Sequence, residues 1–92
     1  MRLKEKEIQN IKEVVNTIFQ NATIYLFGSR LDPDKKGGDI DLFIIPKEKS
    51  SLENKLKLSA KLKRILHKPV DIVLHKDFNR DIEKEALKGI IL

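Results

Sequence analysis

Apolar residues recur along the first stretch of the chain at spacings of mostly three and four: Ile8, Ile11, Val15, Ile18 and Phe19. That spacing lays one stripe along a helix from about Lys4 to Phe19. Gln20-Asn21 ends it, and the β-branched and aromatic run Thr23-Ile24-Tyr25-Leu26-Phe27 reads as a strand. Gly28-Ser29 stops that strand. Arg30 to Gly38 is polar, carries Pro33 and Gly37-Gly38, and reads as a loop. The pattern alternates again from Asp39 to Ile45, a second strand closed by Pro46. Ser50 with Glu53 three residues on has the form of a capping box. It opens a helix to about Leu66 that carries Leu52, Leu56, Leu58, Leu62, Ile65 and Leu66. Pro69 breaks the chain before a third strand, Val70 to Leu74. A short helix over Asn79 to Lys88 stops at Gly89, and Ile90-Ile91-Leu92 can add a fourth, edge strand. The order α-β-β-α-β-α(-β) predicts an α+β fold: a mixed sheet of three or four strands with helices packed on one face.

Composition narrows this picture without changing it. The 92 residues suit a single domain spanning 1–92, and the 40% that are apolar can build one small core but not two. With no cysteine, disulfides, thiolate metal sites and cysteine nucleophiles are excluded. No apolar run approaches the roughly 18 residues of a membrane helix, and the charged start Met1-Arg2-Leu3-Lys4-Glu5 lacks the apolar stretch of a signal peptide. A cytoplasmic location is therefore expected, with no membrane partner. Nineteen basic against fourteen acidic residues give +5, which suits a polyanionic ligand such as a nucleotide. The basic series Lys55, Lys57, Lys61, Lys63 and Arg64 has no interleaved aromatic residues. A stacking platform for single-stranded nucleic acid needs them, so the series reads as the wet face of a helix. A small core with apolar residues left over leaves room for a homo-oligomer.

The candidate chemistry lies in the acids. Asp39 and Asp41 stand two apart on one strand, so both side chains share a face, while Ile40, Leu42 and Ile44 point to the core. In Val70-Asp71-Ile72-Val73-Leu74 the same alternation turns Asp71 outward. If the two strands are neighbours, three carboxylates meet. Such a group either takes up protons or holds a cation. Carboxylate oxygens without imidazole or thiolate favour Mg²⁺ or Mn²⁺. Gly28 and Ser29 follow a strand, where a glycine lets backbone approach a phosphate and amides and a hydroxyl donate to it. Arg30, Lys35 and Lys36 add positive charge nearby, although solvation is their simpler role. No Walker-A or Rossmann pattern is present.

Phe27-Gly28-Ser29-Arg30 followed by Gly37-Gly38-Asp39-Ile40-Asp41-Leu42 resembles the signature of the DNA polymerase β-type nucleotidyltransferases, and the short length resembles their minimal branch. Nine residues separate Ser29 from Asp39, as in the shorter form of that signature. The strand order, the third acid Asp71 and the ending Ala86-Leu87-Lys88-Gly89-Ile90-Ile91-Leu92 extend the likeness over nearly the whole chain. The resemblance implies a small nucleotidyltransferase palm. It implies metal-dependent transfer of a nucleoside monophosphate, AMP from ATP, to a hydroxyl. Asp39, Asp41 and Asp71 would be the catalytic acids and hold two Mg²⁺ ions, with Mn²⁺ as a substitute. Gly28, Ser29 and Arg30 would bind the nucleotide. Proteins similar to this minimal branch pair with a helical HEPN-type toxin and act as its antitoxin, some by moving AMP onto a toxin tyrosine.

Each feature also has a plainer reading. Two strand acids at i and i+2 are commonly a solvated sheet face, and only the added Gly28-Ser29 and Asp71 favour a metal site. His67, before Lys68-Pro69, reads as a helix C-terminal residue favoured by the dipole. His75, at a strand end, is not expected to be catalytic. Phe43 and Ile45 share the face of the acids and are expected to form an apolar patch beside them. Tyr25 reads as a core residue with a wet tip. Against an active transferase stands a catalytically silent module that neutralises its partner by occlusion. A nucleic-acid binder rests on charge alone.

Overall fold

The computed structural model describes residues 3–28, 38–48 and 51–92. Its elements are α1 (Glu5–Ile18), β1 (Thr23–Phe27), β2 (Ile40–Ile45), α2 (Leu52–Leu66), β3 (Val70–Leu74), α3 (Asp81–Ala86) and β4 (Ile90–Ile91). The four strands form one mixed sheet in the order β3-β2-β1-β4. β1 runs antiparallel to β2 and β4, while β2 and β3 are parallel through the α2 crossover. This is the expected α+β architecture, including the edge strand at the C-terminal end.

Local chemistry explains the helix ends. The Lys4 amide donates to Glu7 Oε1 at 3.0 Å, closing the first turn of α1. The helix stops at Phe19, just before Asn21 takes a left-handed φ of 59°. α2 starts one residue later than the Ser50–Glu53 pattern predicts. Ser51 is its N-cap, its Oγ accepting from the Asn54 amide at 3.3 Å, while Glu53 pairs with Lys57 on the exposed face. Ser50 itself lies outside the described residues. Both Ser50 and Ser51 can cap, so sequence chemistry alone does not choose between them. At the other end His67 caps α2 in a left-handed conformation, as its place before Lys68-Pro69 suggests. α3 is shorter than predicted because Asn79 bonds the Asp77 side chain in a turn and Arg80 is the N-cap.

Ile11 and Val15 of α1 and Leu58, Leu62 and Leu66 of α2 bury one sheet face, against Ile24, Leu26, Ile40, Leu42, Ile44, Val70 and Ile72. The leucine-rich stripe of α2 therefore divides: Leu52, Leu56 and Ile65 stay exposed. α3 departs from the one-sided packing expected of the helices. It lies across the opposite face, where Ala86 packs with Phe27 and Phe43. Gly89 makes the last strand possible, because a Cβ there would overlap the Leu26 carbonyl as β4 closes on β1.

Candidate active site

β2 and β3 pair in register, with Asp41 abreast of Asp71 and Ile40 abreast of Val70. Neighbouring strands are about 4.8 Å apart, so the two acids stand side by side on the face away from α1 and α2. Asp39 comes immediately before β2 and hydrogen-bonds Asp71. Alternation thus brings three acids from two segments to one end of the sheet, as the sequence predicts. Isoleucines and valines between them hold the strands on the core and leave the acids no inward rotamer.

The electrostatics follow from this crowding. Burial pushes the Asp41 carboxyl above its ordinary value, and the charges of Asp71 and Asp39 push it further. Asp71 is raised chiefly by its hydrogen bond to Asp39, then by burial and by the Asp39 charge, with Lys63 pulling the other way. Like charges that cannot move apart retain protons.

Gly28 borders this cluster. Its φ is +80°, and a Cβ at this position would overlap Asp41 Oδ2. It directly follows Phe27, the register partner of Asp41. A side chain here would fill the space beside the carboxylate, so the glycine keeps backbone and acid in contact. The other two residues expected to bind nucleotide, Ser29 and Arg30, lie outside the described residues, as do Lys35 and Lys36.

The acids suit a hard divalent cation by donor type: all are carboxylate oxygens, and a cation between them would relieve their repulsion. Among the described residues, no three acidic or histidine side chains enclose a common point.

One expectation for this face changes, and one residue passed over by the sequence patterns appears there. Phe43, expected on an exposed apolar patch beside the acids, is fully buried by Ala86 of α3 and ringed by Tyr25 and His75. The surface next to the acids is therefore less apolar than alternation suggests. Glu83, which no motif singles out, is the only buried charged residue among those described. It accepts from His75 Nδ1 at 2.6 Å, the Lys76 and Asp77 amides at 2.9 Å each, and an Arg80 nitrogen at 3.0 Å. Burial pushes this carboxyl up, but His75 and the Asp77 and Lys76 amides outweigh it and hold it at about 2. His75 stacks on Phe78 with ring centroids 4.0 Å apart. It is a fastening between β3 and α3, as its strand-end position allows, at the end of β3 away from Asp71. Nothing in the helical period marks Glu83 as buried; the signal is an acid preceded within eight residues by four donors, from His75, Lys76, Asp77 and Arg80.

Several solved structures share this fold. One is the tri-AMPylated HEPN toxin of Shewanella oneidensis in complex with MNT antitoxin. It aligns with a TM-score of 0.76 at 19% identity, over 95% of this chain and 68% of that one. The toxin–antitoxin MntA-HepT aligns with a TM-score of 0.62 at 22% identity, over 77% of this chain and 55% of that one. A toxin–antitoxin with AMP-PNP aligns with a TM-score of 0.63 at 26% identity, over 78% and 57%. The chain thus spans little more than half the length of the last two. No curated protein matches it in sequence. The family described as polymerase beta nucleotidyltransferase matches residues 9–92, from α1 through the acid-bearing strands to the end of β4. By that match, the chain belongs to the polymerase β family of nucleotidyltransferases.

Proposed function

We propose that the protein moves AMP from ATP onto a hydroxyl, a tyrosine of a HEPN-type toxin, and thereby acts as its antitoxin. The single observation that carries this reading is the meeting of Asp39, Asp41 and Asp71 beside Gly28. The family match supports transfer of a nucleotidyl group, and the AMPylated toxin and the AMP-PNP complex among structures of the same fold support the substrates.

The reaction joins the acceptor oxygen to the α-phosphorus and breaks the bond from that phosphorus to the oxygen bridging to the β-phosphate, releasing pyrophosphate. Asp71 takes the proton of the acceptor hydroxyl on its carboxylate. Gly28 keeps the backbone against the Asp41 carboxylate, with Ser29 and Arg30 donating to the leaving phosphates. Asp39, Asp41 and Asp71 would hold two Mg²⁺ ions. When bound, these supply the positive charge that lets a triphosphate approach three carboxylates.

Purified protein, Mg²⁺, labelled ATP and a co-purified HEPN-type partner test this reading. Label should pass to the partner, and Asp39→Asn or Asp41→Asn should lower transfer by roughly a hundredfold or more. Equal labelling by both variants would overturn the enzyme reading. The occlusion alternative keeps the fold and drops the chemistry. It predicts neutralisation of the partner without nucleotide, undiminished in Asp39→Asn.

A further inference from the structure

β3 is an edge strand: β2 lies on one side, and no strand lies on the other among the described residues. The Ile40 amide donates to the Pro69 carbonyl and the His75 amide to the Ile44 carbonyl, both at 2.9 Å. In a parallel ladder alternate residues turn their peptide groups to the neighbour. Residues 69, 71, 73 and 75 therefore face β2, while Val70, Ile72 and Leu74 turn theirs away from it; Val70 is only 1% and Ile72 7% exposed, so the edge opens toward its Leu74 end. Of these outward groups the Leu74 carbonyl accepts a long bond from Arg80, at 3.4 Å. A groove of about 710 Å³ runs along this edge. Leu52 of α2 and Ile82 of α3 border it on the two sides, 67% and 42% exposed. Lys47, Lys55 and Lys76 stand around it, with Glu48 as the acid among its lining residues.

Lysines on an edge can serve merely to discourage aggregation. That role does not need Leu52 and Ile82 open to water on both sides of the same edge. Charge also selects the occupant. A second copy paired across β3 would bring both sets of lysines together. A nucleic acid would satisfy the lysines but has no peptide groups to pair with Ile72 and Leu74.

We propose that the β3 edge is a strand-addition site for a short, extended, acidic segment of a partner protein that pairs along the Ile72–Leu74 end of the strand. Main-chain pairing with Ile72 and Leu74 holds the segment. Its alternate side chains fall toward Leu52 on one face and Ile82 on the other, and its carboxylates meet Lys47, Lys55 and Lys76. This site goes beyond the transferase reading, since it uses none of the acid cluster.

The test is made without nucleotide or metal, so it stands whether or not transfer occurs. A fluorescent peptide of about ten residues alternating Glu and Val is titrated against the protein, beside a Lys–Val peptide of equal length. The Glu–Val peptide should bind, the Lys–Val peptide should not, and hydrogen exchange should slow at the Ile72 and Leu74 amides. The combined variant Lys47→Glu, Lys55→Glu, Lys76→Glu alters side chains outside the core and keeps the far-UV spectrum. It should weaken binding by about tenfold or more. No binding, unchanged exchange at those two amides, or equal affinity in the variant overturns the proposal. So does concentration-dependent dimerisation that protects the same amides in the absence of peptide.

Discussion

Gly28 shows how one backbone angle can set the space around a carboxylate. Its positive φ and its closeness to Asp41 both exclude a side chain. Gly28→Ala must rotate out of the left-handed region or displace the Asp41 carboxylate. The strained conformation costs about 1–2 kcal/mol. Transfer should suffer more than stability does: labelling should fall at least tenfold while urea unfolding shows a small loss. Stability falling with transfer unaffected would mean that the contact with Asp41 has no part in the site. The acids carry the opposite lesson. Asp41 and Asp71 are held beside Asp39 at the expense of folding: burial and then its two acidic neighbours raise Asp41, while Asp39 and then burial raise Asp71.

Among the elements, α3 is the least predictable from its own residues and depends most on a single side chain. Six residues long, it has too few turns to be stable alone. Glu83 anchors it by accepting from Arg80 at its own N-terminus and from His75, Lys76 and Asp77 beyond β3. Glu83→Gln turns an amide NH₂ toward this ring of donors and leaves buried groups unpaired. The loss should be about 3 kcal/mol, the scale of breaking a buried ionic pair. In a domain of this size, that lowers Tm by more than about 10 °C. Thermal melts followed by circular dichroism measure it, and a shift below about 2 °C would show that α3 is held by Ala86 packing instead.

Summed over the fold, the charges give a dependence on pH with two opposing parts. Glu83 sits at about 2, below its ordinary 4.5. Its contribution is therefore complete above about 4.5 and disappears as pH falls toward 2. Asp41 and Asp71 lie above their ordinary 3.8, so the unfolded chain releases these protons first. Stability then declines as pH rises from 3.8 through their raised values. Metal-free protein should accordingly melt at its highest temperature in mildly acid solution and lower toward neutrality. Asp41→Asn should flatten that neutral decline and raise Tm, even as it removes transfer. Mg²⁺ should also raise the neutral Tm of the wild-type chain, by about 2.7 kcal/mol of added stability at a hundredfold excess over Kd. Melts across roughly pH 3–8 with Mg²⁺ or a chelator check both. A neutral Tm indifferent to Mg²⁺ would count against the acid cluster as a cation site.

Much of this protein is written locally. Spacings of three and four mark α1 and α2, and alternation marks three strands, because burial on one face imposes a period on any regular element. The same alternation puts Asp39, Asp41 and Asp71 on a common face, and the likeness of Gly28 and the following acids to a known signature is what suggests reading them together. What alternation leaves open is whatever covers a face from far along the chain. That Phe43 is buried, that Glu83 is enclosed, and that α3 crosses to the side opposite α1 and α2 all depend on contacts between distant segments. The in-register parallel pairing of β2 and β3 likewise arises through the α2 crossover, and it is this pairing that sets Asp41 abreast of Asp71. A periodic pattern names the side of a strand; the neighbours on that side are chosen when the chain closes on itself.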